Sequence, residues 1–562
     1  MEKSIKKNIS IIISIFLLIQ PILDLLTGLC LNILHINLTI GIIVRILFML
    51  FIVYISLFIY KKKKLLIPYI IIGIYCILYL LGIIIFKDKV GLFYELQGLV
   101  KVFYYPILLI SIYSIKEDIN ISKLTLFTTL FLYLIFIFIP TLFGIGFDTY
   151  KVTKVGTLGF FNAANEISGI ISILTPFLFV IVLSSKNIIP KVLFILMYLV
   201  VILMMGTKTP FLSLGIVIGM TIIYLWNNWI HQKEYKILAI SGLSLIAAIL
   251  LLILILPNTN FYKNIETELD YIEVDNPVEV LSSYKLIDHA IFGQRLSFLS
   301  KRSNDYRRSN IYQRLFGIAY LKNGQETKQI EMDYFDIFIN HGLIGFSIIL
   351  IIMLYVLKDA IILHKKIDYN NYMTITSIIL IFLLSFVTGH IITAPSVSLL
   401  TIIILLSLIK KEKETIIISI SNNSNIKEKI KTLDSIDYDK YKVTLITTNK
   451  EVKIKDKINV IYDLPSINKY KNLIKILVFK LLNYKIYDYS ICNGYDYDSI
   501  YVTYMKDASY ESKLYIEKQD LTEDEFITKL LLEYKIIIVD DKDIRKKLIR
   551  KYPSLKEKII IE

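Results

Sequence analysis

Apolar runs long enough to cross a bilayer fill most of the first 410 residues, and they leave few folds open. A helix needs roughly 20 apolar residues to span the hydrocarbon core. Twelve runs qualify, near residues 9–28, 37–60, 65–86, 98–114, 123–145, 163–183, 190–205, 209–226, 236–256, 334–357, 372–391 and 394–409. Across all 562 residues 55% are hydrophobic and mean hydropathy is +0.61, which excludes an ordinary soluble globule. The opening "MEKSIKKNISIIISIFLLIQP" has a signal peptide's basic start and apolar core but no small-x-small cleavage site. It is therefore read as a first membrane helix.

Lys and Arg collect in the cytoplasmic loops of membrane proteins. With the N-terminus inside, the inner loops receive "KKKK" (61–64), "SIKED" (114–118), "SSKNIIPK" (184–191), "HQKEYK" (231–236), "LHKKID" (363–368) and "KKEKE" (410–414). The expectation is an even number of spans with both termini cytoplasmic. The net charge of +15 then reflects topology, and no nucleic-acid partner is inferred from it. A long loop, residues 257–332, falls outside; its first part is acidic and its later part basic. Cys30, Cys76 and Cys492 are scattered, with neither a disulfide framework nor a metal spacing.

After residue 410 short β-rich runs appear, among them "TIIISI", "KVTLITT" and "KIIIVDD", most alternating with amphipathic stretches such as 467–483. Strands alternating with helices imply a parallel α/β sheet. The expected fold is thus a mostly α polytopic membrane domain (1–410) followed by a cytoplasmic Rossmann-like α/β domain (411–562).

Several polar residues stand where apolar composition does not explain them. A charge at a span centre costs roughly 2.5–3.5 kcal/mol on insertion scales. Arg45, in "GIIVRILF", is explained either by a salt bridge to Asp24 or snorkelling, or by a polar cavity that it faces. Lys208, in "GTKTPFLSLGI", is either a plain loop lysine or a cation beside a helix start, where anions bind. Glu95 and Lys101, where the chain enters span four from outside, fit an amphipathic interfacial turn; Asn165 and Glu166 open span six, where Glu166 either balances helix charge or needs a partner. Arg295, Arg302, Arg307, Arg308 and Arg314 lie in the long loop, and Arg is a natural clamp for phosphate oxygens. His341 is read as a satisfied interior group with catalysis as the alternative, and Gly342 and Gly345 as sites of close helix approach.

The stretch "EMDYFDIFINHGLIGF" (331–346) carries three carboxylates where span ten begins. A helix starting near Asp333 makes that residue an N-cap and Asp336 the far half of a capping box. Alternatively, Asp333, Asp336 and Asn340 share one face and line a cavity. Glu331 precedes the helix, where capping does not need it.

Taken in order, "QPILDLLTG", "GIIVRILF", "GFFNAANEISGIISILTP", "GTKTPFLSLGI", "FGQRLSFL", "LFGIAY" and "EMDYFDIFINHGLIGF" resemble the O-antigen ligase and O-antigen polymerase family in the form found in Firmicutes, over residues 1–410. The resemblance implies a GT-C-like, metal-independent, inverting glycosyltransferase without cofactor. Its partners would be an undecaprenyl-pyrophosphate-linked glycan donor and a glycan acceptor. Arg45, Lys208 and Arg295 match the family positions thought to hold the pyrophosphate. Lys101, Asn165, Glu166 and Arg314 join them as candidate substrate-binding residues. Glu331 stands where ligases often carry His, and is the candidate base beside Arg295. That departure favours a polymerase-like or wall-polymer branch. Residues 411–562 resemble the N-terminal half of a GT-B glycosyltransferase in "YDYSICNGYD", "SKLYIEKQD" and the final "YKIIIVDD…EKIIIE". The His expected after "KLYI" is replaced by Glu517, which suggests a non-catalytic module, for instance one docking cytoplasmic glycosyltransferases. A transporter of lipid-linked sugars and a membrane scaffold are the competing functional readings.

Overall fold

The computed structural model describes residues 2–36, 40–86, 91–150, 153–184, 188–231, 254, 256–271, 283–290, 292–322, 325–362, 369–409, 414–420, 433, 436, 441–446, 459–461, 487, 489–493, 512–516, 534–539 and 541–561. The chain forms two units, one of residues 1–8, 15–116 and 123–410 and the other of residues 9–14, 117–122 and 411–562.

The first unit is a helical bundle. Its early helices are α1 (Glu2–Asn32), α2 (Ile40–Tyr54), α3 (Leu66–Phe86), α4 (Leu92–Tyr113) and α5 (Lys123–Leu142). A small hairpin, β1 (Asp148–Tyr150) and β2 (Val155–Thr157), precedes α6 (Ala164–Ser184), α7 (Ile188–Met205) and α8 (Lys208–His231). Four short helices follow in the loop: α9 (Asn260–Tyr271), α10 (Tyr284–Ala290), α11 (Arg295–Arg308) and α12 (Ile311–Phe316). A hairpin, β3 (Leu321–Lys322) and β4 (Gln325–Glu326), leads to α13 (Asp333–Ile362), α14 (Tyr369–Val387) and α15 (Pro395–Leu406). Among the described residues nine helices are long and apolar enough to cross a membrane, and α7 and α15 are shorter apolar helices. The chain is a polytopic membrane protein. The expected ninth span, 236–256, lies almost wholly outside the described residues.

Helix α6 is the most enclosed of the nine and packs against α5, α8 and α14. Ser, Thr and Tyr hydroxyls inside the bundle bond to carbonyls or to each other, as Ser377 does to Ile173 and Thr175 to Tyr198. That satisfies polar groups where no water can.

Helix α13 is broken. Gly342 has φ 70° and ψ −176°, so the helix restarts beyond it. Just before the break, the carbonyls of Ile339 and Asn340 accept the N–H groups of Ile318 and Ala319. A Cβ on Gly342 would lie 2.5 Å from the Gly317 nitrogen, and one on Gly317 would lie 2.0 Å from the Asn340 oxygen. The expected close approach at Gly342 is thus that of the α12 end. Gly345 makes room for the Tyr75 hydroxyl.

In the second unit, β5 (Glu414–Ile420), β6 (Tyr441–Ile446), β7 (Asn459–Ile461), β8 (Tyr489–Asn493), β9 (Ser512–Ile516), β10 (Ile536–Val539) and β11 (Ile559–Ile561) form one sheet in the order β11-β10-β9-β8-β5-β6-β7. Every pairing is parallel, with Ile416 opposite both Val443 and Tyr489. Helix α16 (Lys542–Lys551) is capped by the Asp541 side chain and packs Ile544 and Leu548 against Ile537 and Val539. Glu517 lies outside the described residues.

Candidate functional site

The bundle holds a polar chamber of about 400 Å³, lined by α1, α2, α4, α6, the loop after α12, α13 and the α14–α15 turn. Arg45 is buried in its wall. Nε donates to Gln20 Oε1 at 2.7 Å and Nη2 to Asp24 Oδ1 at 2.7 Å, while Tyr133 donates to the other Asp24 oxygen at 2.6 Å. The salt bridge weighed from sequence and the cavity-facing cation are both present. Lys101 and Glu166 also line the chamber, and the Ser396 hydroxyl donates to Glu166.

The loop segment entering the chamber is fixed by buried charges. Glu95, 1% exposed on α4, accepts from the Tyr320 N–H at 2.9 Å, the Leu321 N–H at 2.7 Å and the Tyr79 hydroxyl at 2.9 Å. The interfacial turn expected at Glu95 is instead a hook on the loop backbone. Arg302 is buried and donates to the Ala319 carbonyl at 2.7 Å and Asn340 Oδ1 at 2.6 Å. Tyr320 lines the chamber, with its hydroxyl 2.8 Å from His341 Nε2. Burial, with the charges of Asp336 and Glu95, pushes that phenol far above its ordinary range.

The carboxylates of 331–336 separate by task. Asp333 does not cap its own helix. Its oxygens accept from the N–H groups of His390, Ile391 and Ile392 and from the Thr393 hydroxyl, tying down the α14–α15 turn. The turn offers three consecutive N–H groups, two of them on the buried Ile391 and Ile392, and the Asp333 carboxylate satisfies all three at one stroke. Asp336 reaches back to the N–H groups of Ile330 and Met332 rather than to that of Asp333, so the expected capping box does not form, and it also lines the chamber. Asn340 instead bonds Arg302 and Gln329.

Glu331 sits in a cage of donors. Arg295 Nη2 lies 3.1 Å from Oε2, Lys328 Nζ 2.8 Å from Oε1, and Asn165 Nδ2 3.3 Å from Oε2. Burial alone would raise its pKa. The Lys328 hydrogen bond and the charges of His390, Lys328 and Arg295 outweigh that and hold it below the ordinary glutamate range. Arg295 is the first residue of α11, whose start is capped from outside by Asp288, accepting from the N–H groups of Leu296 and Ser297 at 2.8 Å each.

The structure therefore brings Glu331, Arg295 and Asn165 together, and Arg45, Lys101 and Glu166 around the chamber. Gln329 and His390 flank Glu331 and line the chamber, so the two groups adjoin. Of the three cations matched to the family's pyrophosphate positions, Arg45 lines the chamber and Arg295 stands at Glu331 beside it. Lys208 begins α8 next to Thr207, which accepts from Ser168, and does not line the chamber. Arg314 is exposed and donates to the Arg307 carbonyl, outside the chamber lining. Sequence reasoning missed Glu326, Gln329, Lys328 and His390. Lys328 carried the one usable signal, a cation three residues before a carboxylate.

A polytopic membrane bundle with a charged chamber lined in part by its own long loop is the class of protein that the fold and site define. More specifically, the model of the O-antigen ligase like membrane proteins matches residues 6–285 and 280–414, and the chain belongs to that family. A search of curated proteins finds no match. Membership supports a role in surface polysaccharide assembly at the membrane, as a glycan-transferring enzyme with lipid-linked glycan as substrate.

Proposed function

We propose that the chain transfers a glycan from undecaprenyl pyrophosphate to a sugar hydroxyl at the outer face of the cytoplasmic membrane. In this reading there are twelve spans, both termini are cytoplasmic, and the 257–332 loop faces outward. The observation that carries it is the Glu331–Arg295 pair beside a chamber that Lys101, Glu166 and Tyr320 line.

In the reaction the acceptor hydroxyl oxygen attacks the anomeric carbon from the face opposite the pyrophosphate. The new C–O bond forms as the bond to the pyrophosphate oxygen breaks, which inverts the carbon. The leaving oxygen keeps the electron pair, and Arg295 meets its charge; preorganised cations are worth most where charge develops. The hydroxyl proton passes to Glu331. Nothing in the step requires a metal. Arg45 and Lys101 line the chamber, with Arg45 held by Asp24.

For residues 411–562 the proposal is a Rossmann-like half of a glycosyltransferase that docks cytoplasmic enzymes. The parallel sheet supports it: numbered from β5 its order is 3-2-1-4-5-6-7, which extends the doubly-wound arrangement.

The test is purified protein in liposomes with undecaprenyl-pyrophosphate oligosaccharide and acceptor glycan. A longer or transferred glycan is expected. Glycan that crosses the bilayer unchanged would make the protein a transporter instead.

A further inference from the structure

The donors around Glu331 are arranged as for a small oxyanion. Arg295 contributes only Nη2 to the carboxylate; its Nε donates to the Glu331 carbonyl and its Nη1 to the Phe292 carbonyl, each at 3.1 Å. The guanidinium thus stays in place whether or not the carboxylate is there. Lys328 is more exposed, and its Nζ lies 5.8 Å from the centre of the Phe298 ring, one helical turn along α11 from Arg295. Asn165 supplies a third donor from the start of α6.

The Glu331 backbone, by contrast, is locked. Its φ is +61°, in the left-handed region that non-glycine residues rarely adopt. The Gly389 backbone presses on it so closely that a Cβ there would be 2.6 Å from the Glu331 carbonyl. Only the side chain is free to swing. The groups facing that carboxylate are Arg295, Lys328, Asn165 and His390.

We propose that Glu331 fills an anion site of its own protein, and that a pyrophosphate oxygen of the donor displaces it from Arg295, Lys328 and Asn165. This rests on the transfer reading above and adds two things to it. Lys328 and Asn165 become the remaining donors of the pyrophosphate clamp. Glu331, released from two cations, becomes a stronger base only when the donor is bound. Its carboxylate and the pyrophosphate compete for the same donors, so removing the carboxylate tightens pyrophosphate binding.

The experiment measures binding to the full chain purified in detergent, using inorganic pyrophosphate and farnesyl pyrophosphate as probes, with phosphatidylglycerol as competitor. Glu331→Gln is expected to bind both probes at least about 5-fold more tightly than wild type, the lower end of ordinary coupling between sites. Glu331→Asn, which suits the left-handed backbone better, is expected to shift the same way and guards against misfolding of the first variant. Lys328→Ala and Arg295→Ala are each expected to weaken binding. Unchanged or weaker binding in both Glu331 variants would overturn the proposal. So would competition by phosphatidylglycerol as effective as that by farnesyl pyrophosphate, since the site would then be a phospholipid headgroup site. The liposome assay separates the two claims. Transfer without tighter binding refutes the displacement alone, and tighter binding without transfer refutes the transfer reading alone.

Discussion

Glu95 offers the sharpest test of how the loop is held. One buried carboxylate accepts from two consecutive backbone N–H groups, Tyr320 and Leu321, and from the Tyr79 hydroxyl. Hydrogen bonds to a charged group contribute about 1.5–3 kcal/mol each. Glu95→Leu keeps roughly the volume but removes both accepting oxygens, so the Tyr320 and Leu321 N–H groups lose their acceptor. Losing these bonds should cost the local structure at least about 2 kcal/mol. At about 1.4 kcal/mol per factor of ten, even 2 kcal/mol makes the two loop amides exchange roughly 30-fold faster. Hydrogen–deuterium exchange with mass spectrometry on a peptide covering 318–322 reads this directly, with α6 peptides as the unchanged reference. Exchange of the Tyr320 and Leu321 amides within threefold of wild type would refute the hook, because the Ile318 and Ala319 amides of the same segment are held by other acceptors.

Gly342→Ala should lower the unfolding temperature sharply or abolish folding. It combines φ 70° with a Cβ 2.5 Å from backbone atoms of Gly317 and Leu315, a strain of about 3 kcal/mol or more, checked by thermal unfolding in detergent. Arg45→Ala should cost about 3–5 kcal/mol because Asp24 is left buried and unpaired, and adding Asp24→Asn should restore more than half of the loss in a double-mutant cycle. The Glu331 pKa is depressed in the folded chain, so its stabilising contribution is present above the unfolded value and is lost as pH falls through the folded one. The melting-temperature gap between wild type and Glu331→Gln should therefore shrink on acidification below about pH 4.5 and hold level near neutrality.

The nine spanning helices among the described residues are legible because hydropathy alone demands them, and the Asp24–Arg45 salt bridge is one of the readings open from sequence because intramembrane charges need partners. The same rule applied to Glu95, but its partners are backbone N–H groups 225 and 226 residues away, and backbone groups carry no sequence signature. Asp333 misled for a related reason. Its local context fits an N-cap, yet its donors come from the turn at 390–393. Gly342 was visible as an exception in an apolar run, but not as a helix break, because helix approach and positive φ both select glycine. Glu331 and Arg295 are linked in sequence only through the family resemblance, since they stand 36 positions apart with no periodicity that would bring them together.

The most direct measurement of the central claim is glycan transfer in proteoliposomes by wild type, Arg295→Ala and Glu331→Gln at matched protein levels. Product from wild type and at least about a 100-fold lower rate in both variants is expected, the scale on which a lost general base is felt. Transfer by both variants at the wild-type rate would contradict it.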